Sequence, residues 1–366
     1  GLAFATTAGQ LVVVHGNLVT TPPPSNPCGV ALGSSLTSPG PQAADFSALL
    51  VAAGASDIAS EPHSGLLYTS VAASGSANTN CIVPLMPATG VLGAGVFAGS
   101  RPGPLAVSDD GSVLYAALSG ANFIERFSLP SLAHDISIPV VPASLAGSQP
   151  IATDIDVAPG APGTIAASLK VTFQYPGGLA LAVYDNSTPR SSIFSSRSVG
   201  AVQWAGTSST LFGYDNDAGS FDLFSLPVTA AGIGAAGSVT SALQQSGRHI
   251  HRFGSLIYGD NGQVADPASG SLAGSFVISA PFTPVPSSVM TADTGLGCAY
   301  FAYVDFNTGL LTVQAFSLAN YASLRAITVG AVAGTPTRLV RWGTNGLALL
   351  LDSGAVLLLS GTFVTG

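Results

Sequence analysis

Charge is the scarcest commodity in this chain: Asp, Glu, Lys and Arg make up 8% of its 366 residues, against about 25% in an ordinary soluble domain. Lys170 is the only lysine, and Glu61 and Glu125 are the only glutamates. The ten basic residues form no cluster and the net charge is -8, which excludes the nucleic-acid binders, since these need basic side chains to displace phosphate counterions. No apolar run approaches the roughly 18 residues of a membrane-spanning helix, and no basic leader precedes one, so no membrane span is expected. Gly1 in place of methionine fits a processed, secreted chain, although a trimmed chain would look the same.

Cysteine is also sparse. Cys28 in "NPCGV" and Cys81 in "TNCIV" sit in polar, turn-flanked settings that suit a surface disulfide in an oxidising compartment, and Cys298 in "LGCAYFAY" reads as a buried, unreactive thiol. No window sustains a helical period. Short runs of Val, Leu, Ile, Phe and Tyr alternate instead with Gly, Asn, Asp, Ser and Pro turns, the pattern of an all-β chain.

One phrase recurs: Phe127-Ser128-Leu129, Phe224-Ser225-Leu226 and Phe316-Ser317-Leu318 start 97 and 92 residues apart. Half of that spacing is close to the four-strand period of a propeller blade, about 40 to 50 residues. Weaker copies fill the gaps and extend outward. Third strands centred near residues 84, 127, 184, 224, 265, 316 and 358 define seven four-stranded blades; six or eight follow if one marginal hairpin is counted differently.

The segment "VSDDGSVLYAALSGANFIERFSL", Val107 to Leu129, resembles the Ser-x-Asp-Gly-x-x-Leu-Tyr pattern of lactonase-like and YVTN-type seven-bladed propellers of bacterial surface and secreted proteins. "VADPASGSLAGSF" and "LVRWGTNGLALLLDSGAVLLLSG" look like closing blades of such proteins. The resemblance implies a fold and is nearly silent on function.

The last blade shows three strands, "TRLVRWG", "LALLLD" and "AVLLLSG". An unfilled outer edge would leave backbone groups unpaired. Outside the repeat, "GQLVVVHGNLV" is the natural fourth strand, so residues 1–27 read as an arm with a Pro-rich linker and residues 28–366 as the propeller. Leu11, Val12, Val13 and Val14 would then meet the blade that carries Leu339, Leu357 and Leu359. Whether the arm closes its own ring or a neighbour's stays open. Thr20 to Cys28, in extended polyproline form, reaches roughly 28 Å, and head-to-tail donation would propagate a filament. "GTFVTG" at the end of the chain is expected to add edge pairing.

Catalytic chemistry is weakly marked. His249 and His251 share one face of a strand but lack a local third ligand; packing or exposure is the expected role, as it is for His15, His63 and His134. "DNDAGS", Asp215 to Ser220, partly matches a calcium loop without its bidentate acid and reads as a turn. Asp154 and Asp156 lie on one strand face, which could turn them into the propeller channel for acid–base work, but capping of strand-end turns is the expected role. Asn186-Ser187-Thr188 is a glycosylation sequon.

These readings define a non-enzymatic extracellular or cell-surface protein, structural or adhesive, without catalytic residues, metal or other cofactor. It is expected to self-associate with identical subunits, and a glycan or other surface ligand is a further candidate partner. The alternatives are a monomeric secreted ligand-binding propeller and a lactonase-like hydrolase.

Overall fold

Successive residues of a strand face opposite ways, and in Cys298–Val304 both sides are apolar: Tyr300 and Ala302 join one buried cluster, Ala299 and Phe301 another. A sheet apolar on both faces must be sandwiched by two others, and a row of such sheets buries its ends only by closing into a ring. The computed structural model shows that ring. It describes residues 2–5, 11–14 and 46–365, except 73–77, 146, 148, 172–177, 196–198, 217–219, 245–246, 279–287 and 306–307.

Seven antiparallel sheets form the blades. Their innermost strands are Asp57–Ser60, Pro102–Val107, Pro150–Val157, Val199–Trp204, Ile250–Phe253, Val289–Asp293 and Pro336–Trp342, here blades 1 to 7. The third strands are Cys81–Met86, Phe123–Ser128, Gly178–Asp185, Leu223–Thr229, Gln263–Asp266, Leu311–Ser317 and Val356–Ser360. Each contains the centre expected for it from the Phe-Ser-Leu spacing. Seven buried clusters occupy the seven gaps between neighbouring blades.

The last blade is closed by the chain's own strand Ser47–Val51, which pairs antiparallel with Val356–Ser360 through Ala48↔Leu359, Leu50↔Leu357 and Val51↔Val356. This corrects the assignment of Leu11, Val12, Val13 and Val14 to that edge: Leu11–Val14 pairs with Leu2–Ala5 in a separate hairpin. Chain continuity accounts for the difference. Only a short link joins Val51 to Asp57 of blade 1, so the closing strand is held beside its site, whereas the more hydrophobic run lies far upstream. Leu339, Leu357 and Leu359 belong to blade 7 as expected, but they are buried in the cluster shared with blade 6. The expected boundary at residue 28 and the linker Thr20 to Cys28 lie outside the described residues.

The terminal "GTFVTG" adds no edge strand. Thr362–Thr365 is one helical turn whose Phe363 and Val364 are buried between blades 6 and 7. The Tyr300 hydroxyl donates to the Val364 carbonyl, and Arg325 Nε donates to the Phe363 carbonyl at 2.5 Å. Cys298 is a buried free thiol. Cys81 is fully buried at the start of its strand rather than at the surface, and its expected partner Cys28 lies outside the described residues.

Candidate functional site: the central channel

Each innermost strand turns one edge toward the channel, and the amides along it need acceptors. Aspartates of the preceding blade supply them. Asp57 Oδ2 accepts from the Leu105 amide at 2.8 Å and Asp154 Oδ2 from the Val202 amide at 2.8 Å. Asp156 Oδ2 accepts from the Trp204 amide at 2.7 Å and from Gln203 Nε2 at 2.6 Å. Arg341 Nη2 donates to Asp293 Oδ2 at 2.8 Å. In all four pairs the partners stand 48 residues apart, one blade repeat. Asp154 and Asp156 are therefore channel residues that rivet blade 3 to blade 4, not the turn caps expected of them.

His249 and His251 converge on one carboxylate. His249 Nδ1 lies 3.3 Å from Asp260 Oδ2 and His251 Nε2 3.0 Å from Asp260 Oδ1. Asp260 also accepts from the amides of His249 at 3.0 Å and Met290 at 3.2 Å, the latter in blade 6. Burial alone would raise this carboxyl; the hydrogen bonds and charges of the two histidines outweigh it and hold Asp260 well below the usual carboxylate range. The pair is thus a structural clamp, and among the described residues no group of three His, Cys, Asp or Glu has the arrangement of a metal site. Asp260 carried no sequence signal: only the fold brings "GDNG" behind "RHIHR".

Burial has the opposite outcome at the other carboxylates. Asp156 is pushed up to about 7 by burial, with Asp154 adding to the push and the Trp204 amide opposing it. Asp154 is raised in the same way, against the pull of His249 and Arg338. Arg338 stays cationic: burial disfavours its charge, but Asp57, Asp154, Asp260 and Asp156 together outweigh that.

Arg338 divides the channel. On one side a cavity of ≈ 340 Å³ is lined by Asp57, Asp154, Lys170, Arg248, His249 and Arg338. On the other, a cavity of ≈ 310 Å³ is lined by Asp156, Gln203, His251, Arg338 and Arg341, among others. Arg338 Nε lies 3.8 Å from Asp57 Oδ1, joining blade 7 to blade 1.

The remaining candidates fall at turns. Ser108 Oγ donates to Asp110 Oδ1 at 2.6 Å, the Ser112 amide donates to the same oxygen at 3.0 Å, and Gly111 takes φ +66. This is the physical content of the Ser-x-Asp-Gly motif, since glycine enters the left-handed region without strain. Asn186 is an exposed turn residue at φ 51 whose Oδ1 accepts from Arg126 Nη1 at 2.7 Å. Asp215 is buried and accepts from Ser220, as in a closed turn, while Asp217 lies outside the described residues. His134 Nε2 pairs with Glu125 at 2.7 Å on the rim; His15 lies outside the described residues.

The chain is a seven-bladed β-propeller with four-stranded blades, and solved structures share the fold. The β-propeller domain of Cps50 (Swd1) from Myceliophteria thermophila is 11% identical with a TM-score of 0.62, covering 84% of this chain and 96% of its own. The WD40 propeller domain of Doa1 is 10% identical with a TM-score of 0.58, over 90% of this chain and 95% of its own. The Dos1 propeller is 14% identical with a TM-score of 0.55, over 84% and 77%. No family model and no curated protein matches the chain. At these identities the likeness is one of fold. No helix among the described residues is long and apolar enough to cross a membrane.

Proposed function

We propose that this chain is a non-enzymatic extracellular interaction scaffold of the lactonase-like repeat type, a closed ring that presents its rim and loops to protein partners. One observation carries the reading: the channel carboxylates hold blade to blade, and His249 and His251 are engaged with one of them, Asp260. The propeller neighbours, one of them named as a WD40 domain, support protein binding in general. The sparse surface charge supports association, because little repulsion keeps neutral faces apart. A Cys28–Cys81 bridge, tying the N-terminal segment to blade 1, belongs to the same reading.

Self-association is a second reading with its own observation. The outer strand of blade 6, Ser323–Gly330, is a long edge with Leu324, Ala326 and Thr328 exposed. Its single charge, Arg325, folds inward against Phe363, 5.6 Å over the ring. Edges of this kind normally carry outward charges that block strand pairing. Light scattering on the full chain decides between the readings. A monomer at all concentrations supports the scaffold, whereas a concentration-dependent oligomer that dissolves in Ala326→Lys supports pairing of like edges. Turnover of a lactone or ester substrate, lost in His251→Ala, would overturn both.

A further inference from the structure

The N-terminal hairpin and the outer edge of blade 6 are each incomplete within one chain. Leu2–Ala5 and Leu11–Val14 form a sheet of two strands. A hairpin of two strands is by itself marginally stable in water. This one, "LAFA" against "LVVV", is apolar at every strand position, so alternation leaves it no polar face for solvent. It needs a sheet to join.

One edge of the ring is fit to receive it. Native outer strands are blunted by brevity, charge or proline. The outer strands of blades 1, 3 and 4 are two or three residues long, that of blade 2 exposes His134 and Asp135, and those of blades 5 and 7 run five residues. Ser323–Gly330 in blade 6 runs eight, and no described strand pairs beyond it. Arg325, Ile327 and Val329 turn to the cluster shared with blade 7, where Arg325 lies over Phe363. Ala326 and Thr328 are exposed, and Leu324 is 48% exposed. No charge guards the open side of this strand, and its length accommodates a whole four-residue strand of the hairpin.

Phe46 lies in the same cluster between blades 6 and 7, so the chain leading back to the hairpin departs beside this edge. Residues 15–45, at no more than about 3.3 Å each, span at most about 100 Å, enough to reach another ring. Within one chain the hairpin sheet ends at its own two strands and blade 6 ends at Ser323–Gly330. A second copy supplies to each what it lacks.

We propose that the N-terminal hairpin of one copy adds to the Ser323–Gly330 edge of another, extending blade 6 by strand addition. This rests on the self-association reading above and replaces its pairing of like edges with donation. Donor and acceptor are different surfaces, so a first pair leaves a free hairpin at one end and a free edge at the other, and growth is open-ended.

Light scattering on the full chain, on two charge variants and on their mixture tests it. Val12→Lys with Val13→Lys charges both faces of the hairpin, and Ala326→Lys charges the edge. The parent mass should rise with concentration beyond that of two chains, and each variant should have the mass of one. Their equimolar mixture should reach two chains and stop there, because it holds one intact hairpin for each intact edge. Neither variant alters a residue of the clusters between blades, so both should keep the thermal midpoint of the monomeric parent. Pairing of like edges would instead leave the hairpin variant as associated as the parent, an outcome that keeps self-association and overturns donation. A mixture that stays at one chain overturns donation whatever the parent does, and a parent monomeric at every concentration overturns both.

Discussion

Asp156 in blade 3 and Trp204 in blade 4 are joined twice: the Asp156 carboxylate accepts the Trp204 amide at 2.7 Å, and the Trp204 indole donates to the Asp156 carbonyl at 3.1 Å. An acidic side chain and the backbone behind it therefore hold both the strand and the buried ring of the next blade. Removing the acceptor in Asp156→Ala leaves the Trp204 amide and the Gln203 side chain without it, a loss of about 1–3 kcal/mol. Asp156→Asn keeps an oxygen for both and should retain most of the stability. Urea unfolding of the two variants separates these outcomes.

Acidity should show two opposite slopes. The Asp156 pKa of about 7 lies above its unfolded value, so its contribution is present below about pH 4 and is lost as pH rises through 7, with a slope of at most about 1.4 kcal/mol per pH unit. Asp260 is held below the ordinary range, so its contribution is present at neutral pH and is lost as pH falls below about 4. Unfolding free energies from pH 3 to 8 should show Asp156→Asn flattening the upper slope and Asp260→Asn flattening the lower one.

Ring closure by Ser47–Val51 makes a truncation prediction. Removing residues 1–19 should leave the urea midpoint of the propeller unchanged. Removing residues 1–51 strips the outer strand from blade 7, including the fully buried Val51, and should cost roughly 3–5 kcal/mol from apolar burial alone, with aggregation through the opened edge. A midpoint that drops fully with the shorter deletion would restore the arm as the closing element.

Gly232 sits at φ +123, and a Cβ there would lie 2.1 Å from the Ser192 carbonyl oxygen. Gly232→Ala should lower stability by about 2 kcal/mol or more through both strain and overlap, read as a fall in thermal midpoint.

Thiol counting tests the proposed bridge. Alkylation of the denatured, unreduced chain should label one of its three cysteines, Cys298, and alkylation after reduction all three. Three labelled thiols without reduction would exclude a Cys28–Cys81 bond.

The blades were legible because each Phe-Ser-Leu phrase marks the third strand, where one residue must fill the gap on each side; Phe127, Leu226 and Phe316 are all fully buried. The closing strand was not, although "FSALLV" repeats the opening of that phrase. Its small Ala48 gives it a fainter hydrophobic signature than "LVVV", and proximity to blade 1, which periodicity does not register, decides the pairing. The channel was read least well. Strand alternation placed Asp154 and Asp156 on one face, but a carboxylate reaching an amide 48 residues on is visible only when the blade period is applied to the acids themselves, as at Asp57 and Asp293. Arg338 gave no signal, because its isolation among aspartates arises from four different blades meeting at the axis.

The pairing of Ser47–Val51 with Val356–Ser360 also sets the order of events during synthesis. The outermost ribbon of the final sheet leaves the ribosome before any complete blade, and its partner emerges only after all seven innermost strands. Throughout elongation the growing arc therefore carries a lone, sticky margin that no early folding step can cover, and only the arrival of the last hairpin lets the two ends meet.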